Sequence, residues 1–296
     1  MMPLRESSRP PRTSVRFSPT GAAGWSLAMV LVQGVAAGLV RPERSTGPID
    51  FVSFGVISLV ALLVVLFGVV RVHGPDASLR EVLGLDESPL AFPPAVPPRV
   101  VSVHRAGVFV ACAVAGVALV ALDAAFDAAF MARDSDFREE IERLGELLAA
   151  PTSRARMARL LGLGVAQPLA ELAFYFGIVF GGLRRPRNRV LAGAMAFLFF
   201  ALHASDLRAL PIRALLGATV LFGRMATGTI VAPAIVSVAF SAIEVAQLGR
   251  SQPLVGGSVL AWAVAFSAAL ASLVFLARLA SRWRMGEFSD RLDLRA

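Results

Sequence analysis

The sequence predicts an all-α membrane protein, a polytopic bundle of about eight transmembrane helices. Hydrophobic residues make up 56% of the 296 residues and charged residues only 17%, with a mean hydropathy of +0.68. Soluble domains are only about 45–50% apolar. The apolar residues also come in blocks of about 20, the length that a helix needs to cross a hydrocarbon core of about 30 Å. Most of the chain is therefore expected to lie in lipid.

The apolar blocks define the predicted domain organisation. Residues 1–23 form a basic cytoplasmic tail, residues 24–279 the transmembrane bundle, and residues 280–296 a cytoplasmic C-terminal tail. The sixth block contains Pro211 and Arg213, so a seven-helix bundle with its C-terminus on the opposite side is the alternative. The predicted spans cover residues 24–40, 51–70, 103–122, 159–182, 189–204, 209–224, 228–247 and 255–279.

The distribution of arginine predicts the orientation. All 29 basic residues are arginine, a usage typical of a GC-rich genome. They concentrate before the first span, in the connector 184–189 and after the last span, and cytoplasmic connectors are the positively charged ones. Eight spans place these three segments on one side, so a bacterial inner (plasma) membrane protein with both termini in the cytoplasm is expected. Because the arginines are dispersed among the connectors and tails, the expected partner is the lipid bilayer, and no nucleic acid is expected.

Two connectors have recognisable patterns. In the segment 123–158, apolar residues at helical spacing alternate with charges, which predicts an amphipathic helix on the outer membrane surface. This helix is either a plain connector or a lid over a site. The stretch 76–99 contains five prolines and is expected to be an irregular linker. The apolar positions of the amphipathic pattern are Phe137, Ile141, Leu144 and Leu148.

Ionisable residues inside predicted spans are costly and point to function. Glu171 lies in the fourth span, His203 in the fifth and Glu244 in the seventh. At a rise of about 1.5 Å per residue, Glu171 lies about 18 Å from the span end at Leu183, and His203 lies about 21 Å from the span start at Arg189. These two side chains are therefore expected at the same depth on adjacent antiparallel helices.

The seventh span adds further polar groups to this layer. Ser237, Ser241 and Glu244 are spaced i, i+4 and i+7, which places them on one helix face. Counted from Gly228, their heights are about 14, 20 and 24 Å. All of them are candidates for polar support of a site formed by Glu171 and His203.

Two interpretations fit the pairing of Glu171 with His203. In the first, the carboxylate is a general base that activates a water, and the imidazole orients that water or binds a divalent metal such as zinc. In the second, a protonated Glu171 is hydrogen-bonded across a helix interface and His203 points toward the far surface. The spacing alone leaves both open.

The residues between 159 and 247 also follow a motif pattern. A proline precedes the run Glu171-Leu172-Ala173-Phe174-Tyr175-Phe176-Gly177, Phe199 and His203 are four residues apart, and a glycine and an Ala-Pro pair precede Ser237 and Ser241. This pattern resembles the CPBP family, which comprises the CAAX prenyl proteases and the bacteriocin-processing (Abi) proteins. The family motifs are Glu-Glu-x-x-x-Arg-Gly, Phe-x-x-x-His and His-x-x-x-Asn.

The resemblance implies an intramembrane endopeptidase of about eight helices that acts in protein processing or sorting. Its water would be activated by Glu171 and His203, and the third motif would stabilise the oxyanion. The substrate would be a membrane-associated peptide or protein. This chain departs from the motifs at the second Glu, the Arg, the His and the Asn, which are replaced by Leu172, Phe176, Ser237 and Ser241.

These departures leave other functions open. One alternative is a catalytically impaired CPBP homologue that binds a membrane peptide or a partner protein without cutting it. A second is a transporter or channel that uses Glu171 as a proton or ion site.

Overall fold

The computed structural model confirms an all-α architecture, with no strand among the residues that it describes. The predicted linker 76–99 and both predicted tails fall partly outside these residues. The described residues are 15–40, 51–74, 77–85, 98–147, 150, 152–183, 189–203, 209–247 and 258–293.

A helix coincides with each predicted span, and helical residues extend beyond several of them. We number the helices α1 to α10 in chain order. They are α1 (Pro19–Val40), α2 (Phe51–His73), α3 (Leu79–Val82), α4 (Pro98–Met131), α5 (Ser135–Leu147), α6 (Ser153–Leu183), α7 (Arg189–Leu202), α8 (Leu210–Thr227), α9 (Val231–Gln247) and α10 (Val259–Asp293).

Several helix ends differ from the predicted boundaries. α1 begins at Pro19, within the predicted tail, because proline is well suited to the first turn of a helix. α10 continues to Asp293 and includes most of the predicted C-terminal tail. The linker prediction is wrong at Leu79–Val82, which forms the short helix α3, and at Pro98 and Arg99, which begin α4.

The chain is a helical membrane protein. Among the described residues, five helices contain segments long and apolar enough to cross a membrane, namely α1, α2, α4, α6 and α10. Helices α7 and α9 are shorter apolar helices. Large apolar side chains on these helices face outward: Phe67 is 74% exposed and Leu260 is 75% exposed. Lipid is the environment in which such exposure is favourable.

Helix α8, the sixth predicted span, lies inside the bundle. It packs against α4, α7, α9 and α10, and its buried residues include Leu216, Val220 and Arg224. Its 18 residues correspond to a length of about 27 Å. A helix shielded by neighbours can carry Arg213 and Arg224 without exposing them to lipid, which explains its weak hydropathy.

Helix α6 contains two π-helical stretches, Leu160–Ala166 and Ala173–Val179, on either side of the α-helical turn Gln167–Leu172. Pro168 has no N–H to donate to the preceding turn, and such a gap in the ladder favours a local change of helix type. Glycines in the first stretch allow close packing, since a Cβ on Gly164 would lie 3.0 Å from the Ala242 backbone in α9. π-Helical segments occur frequently at functional sites.

The start of α1 and the ends of α2 and α6 lie together at one end of the bundle. The Phe17 N–H donates to the Gly182 carbonyl at 3.1 Å, and the Phe17 ring centroid lies 5.5 Å from that of His73. Ile230, just before α9, donates to the Gly84 carbonyl at 3.0 Å at the same end. α1 and α9 therefore begin at the end of the bundle where α2 and α6 end.

Helix α5 confirms the predicted helical conformation of the segment after α4. It packs against the end of α4, and the Asp134 side chain accepts a hydrogen bond from the Asp136 N–H at 3.1 Å near its start. Leu148 lies outside the described residues. The location of this helix on the outer membrane surface stays a prediction.

Candidate functional site

The structure brings Glu171 and His203 together. The Nε2 atom of His203 lies 3.9 Å from the Oε1 atom of Glu171. α6 and α7 are consecutive antiparallel helices joined by the short connector 184–188, so residues at similar distances from that connector meet. The predicted proximity of the two side chains is confirmed, and their depth in the membrane stays a prediction.

The Glu171 carboxylate is held by two donors from two helices. Gln167 Nε2 donates to Oε1 at 3.1 Å, and an Arg213 guanidinium nitrogen donates to Oε2. The Glu171 side chain is only 6% exposed. A buried carboxylate is tolerated where a counter-charge and hydrogen bonds replace its water, and here Arg213 and Gln167 supply both.

Arg213 is the site residue that sequence reasoning missed as a partner. Its Nε atom donates to the Phe200 carbonyl at 3.3 Å, and its guanidinium carbon lies 4.5 Å from the centre of the Phe200 ring. The side chain is 23% exposed. An arginine near the start of an apolar span needs a carboxylate or an aromatic ring nearby. The presence of Arg213 in an apolar block was therefore a signal in the sequence that such a partner exists.

An aromatic wall borders the pair. Tyr175, the single tyrosine of the chain, is buried, with its ring centroid 5.7 Å from His203 and 5.9 Å from Phe200. Gln167, Glu171 and Tyr175 follow one another at i+4 spacing and share one face of α6. His203 itself is 19% exposed, so the site has a polar centre, apolar sides and a partly open imidazole.

Helix α9 packs beside the site, but among the residues described its two serines do not bond to the Glu171–His203 pair. It packs against the Gln167–Leu172 turn, and Ser237 is buried while Ser241 is half-buried. Within the described part of the chain, neither serine hydrogen-bonds to Glu171 or His203. Their predicted role as oxyanion support stays a prediction.

Glu244 belongs to a neighbouring set of charges. The charged groups that act on it are Asp123 and Asp127 of α4 and Arg213 of α8. Arg213 also pairs with Glu171. Arg213 therefore acts electrostatically on Glu244 as well as pairing with Glu171.

The donor set does not fit a zinc site. Catalytic zinc takes three protein ligands and a water, and structural zinc takes four. Across the described ranges, no group of three or more His, Cys, Asp or Glu side chains is arranged to hold a metal ion. Glu171 and His203 supply two ligands, one fewer than a catalytic zinc site uses.

Comparison with known proteins gives no match to a family model, a curated protein or a solved structure.

Proposed function

We propose that this chain is an intramembrane endopeptidase of the CPBP type that hydrolyses a peptide bond in a membrane-associated peptide or protein. The observation that carries the proposal is the approach of Glu171 Oε1 to His203 Nε2 at 3.9 Å. These are the two residues that the motif resemblance selects independently. A water about 2.8 Å from each atom fits between groups at that separation.

The proposed reaction uses water as the nucleophile. Glu171 accepts a proton from the water while the water oxygen forms a bond to the peptide carbonyl carbon. The resulting tetrahedral intermediate breaks its C–N bond, and the nitrogen receives a proton from the Glu171–His203 pair. The products are a new carboxyl terminus and a new amine.

The surroundings suit this chemistry. Tyr175 and Phe200 cover one side of the pair and limit the access of bulk water there. The low polarity of these aromatic surroundings strengthens electrostatic effects on the reacting groups. His203, at 19% exposure, offers an opening through which a substrate segment could reach the water. Oε1 has acceptor capacity beyond its bond from Gln167, because each carboxylate oxygen accepts two hydrogen bonds.

The proposed setting is a bacterial inner membrane with both termini in the cytoplasm, as the arginine-rich connectors favour. The proposed partners are the lipid bilayer and a membrane-associated substrate in processing or sorting.

Capture of uncut substrate tests the proposal. Wild type and Glu171→Gln are purified in detergent from the cells that produce them, and co-purifying peptides and their termini are identified by mass spectrometry. Glu146→Gln in α5, an exposed glutamate, is the matched control. Intact precursors enriched on Glu171→Gln alone are expected. Identical peptides and termini on all three proteins would contradict the proposal.

A non-catalytic binding protein is the second candidate, and two observations favour it. Both Glu171 oxygens already have protein donors, from Gln167 and Arg213, and Leu172 and Phe176 replace polar family residues. This candidate predicts equal capture of uncut partners by wild type and by Glu171→Gln.

A further inference from the structure

We infer that Arg213 is a positioning residue of the site, which holds Oε2 of Glu171 so that Oε1 faces His203 and the reacting water. The inference rests on the proposed function. It concerns a residue outside the three motif stretches, since Arg213 lies at the start of α8.

The first step is that the two Glu171 oxygens have different surroundings. Oε2 takes the charge-assisted hydrogen bond from Arg213. Oε1 takes the neutral amide donor of Gln167 at 3.1 Å and is the oxygen 3.9 Å from His203. Charge-assisted hydrogen bonds are about twice as strong as neutral ones. Arg213 therefore determines the rotation of the carboxylate, and leaves the less strongly bound oxygen toward the imidazole.

The second step is that Arg213 is itself fixed in place. Its Nε donates to the Phe200 carbonyl at 3.3 Å, and its guanidinium lies over the Phe200 ring at 4.5 Å. A planar guanidinium can bond in two directions and stack on a ring at once, whereas a lysine ammonium acts as a point charge. Lysine at position 213 would keep the charge but would not reproduce this geometry.

The third step is that Arg213 contacts the backbone that carries His203. The Phe200 carbonyl accepts a hydrogen bond from the His203 N–H at 3.3 Å as well as the one from Arg213. This carbonyl lies in the last turn of α7, where side chains commonly donate to the backbone carbonyls. One guanidinium thus connects the carboxylate on α6 with the helix end that positions the imidazole.

The test measures kcat and KM for the precursor captured by Glu171→Gln, using full-length protein in lipid vesicles. The variants are Arg213→Gln and Arg213→Lys, with Thr219→Val, a buried position of the same helix, as control. Misplacement of a catalytic group by about 1 Å costs about 10²-fold in rate. We expect Arg213→Gln to lower kcat by about 10²-fold and Arg213→Lys by about tenfold, with KM and the melting temperature close to wild type for the lysine variant.

The outcomes separate the inference from the proposed function. If Arg213→Lys and Arg213→Gln both keep the wild-type kcat while Glu171→Gln is inactive, Arg213 is not a positioning residue. The peptidase proposal would still stand. If Arg213→Gln does not fold, Arg213→Lys decides: wild-type kcat in that variant overturns the inference. Equal rates for wild type and Glu171→Gln would overturn the peptidase proposal and the inference with it.

Discussion

The ion pair between Glu171 and Arg213 can be measured directly as a coupling free energy. The cycle compares wild type, Glu171→Gln, Arg213→Met and the double variant. Removing one member of a buried ion pair costs about 3–5 kcal/mol, because the other charge is left without a partner. Arg213 is 23% exposed and Glu171 keeps its Gln167 donor, so we expect each single change to cost about 2–3 kcal/mol.

The double variant removes both charges, and its loss of stability should be smaller than the sum of the two single losses. We expect a coupling free energy of about 2 kcal/mol, well above the average of about 0.6 kcal/mol for hydrogen bonds between membrane helices. The assay is unfolding by a denaturing detergent in mixed micelles, followed by tryptophan fluorescence.

Arg224 provides the matched control for this cycle. It lies on the same helix but donates to the Phe176 carbonyl at 3.3 Å, so Arg224→Met and Glu171→Gln should be additive within about 0.5 kcal/mol. A coupling of Glu171 with Arg213 below about 0.5 kcal/mol would show that the pair is solvated like a surface ion pair. That result would refute the reasoning about the buried carboxylate.

Three further changes test helix packing by melting temperature in detergent. Gly177→Ala places a Cβ into the Leu83 carbonyl oxygen and should cost about 1–3 kcal/mol. Gly145→Ala, at a helical position with nothing within 4 Å of the new Cβ, should instead stabilise by up to about 1 kcal/mol; equal shifts for the two would contradict the packing described. Trp25→Phe removes the 3.1 Å hydrogen bond from the indole N–H to His73 Nε2 and should cost about 0.5–1.5 kcal/mol, whereas no change would show that water replaces this bond.

The helices could be predicted from the sequence because a membrane span has a minimum apolar length. The pairing of Glu171 with His203 followed from rise per residue along two antiparallel helices, which depends on local geometry alone. Helix α8 was the weakest prediction because high hydropathy is expected of helices that face lipid. Other helices surround α8, so it can contain polar residues.

The contact of Arg213 with Glu171 could not be predicted in the same way. It joins helices that are not consecutive in sequence, and it depends on how each helix is rotated about its axis. The π-helical stretches of α6 alter that rotation on both sides of Glu171. The short helix α3 was missed because the prolines around it indicated an irregular linker. A contact that joins this segment to the bundle, the hydrogen bond from Ile230 to Gly84 just after α3, is distant in sequence.

The most direct measurement is cleavage of the captured precursor by purified protein in lipid vesicles, with product termini determined by mass spectrometry. Wild type should cut at one peptide bond, and Glu171→Gln should leave the precursor intact while still binding it. Cleavage by both proteins, or by neither, would contradict the claim that Glu171 activates a water for peptide hydrolysis within the membrane.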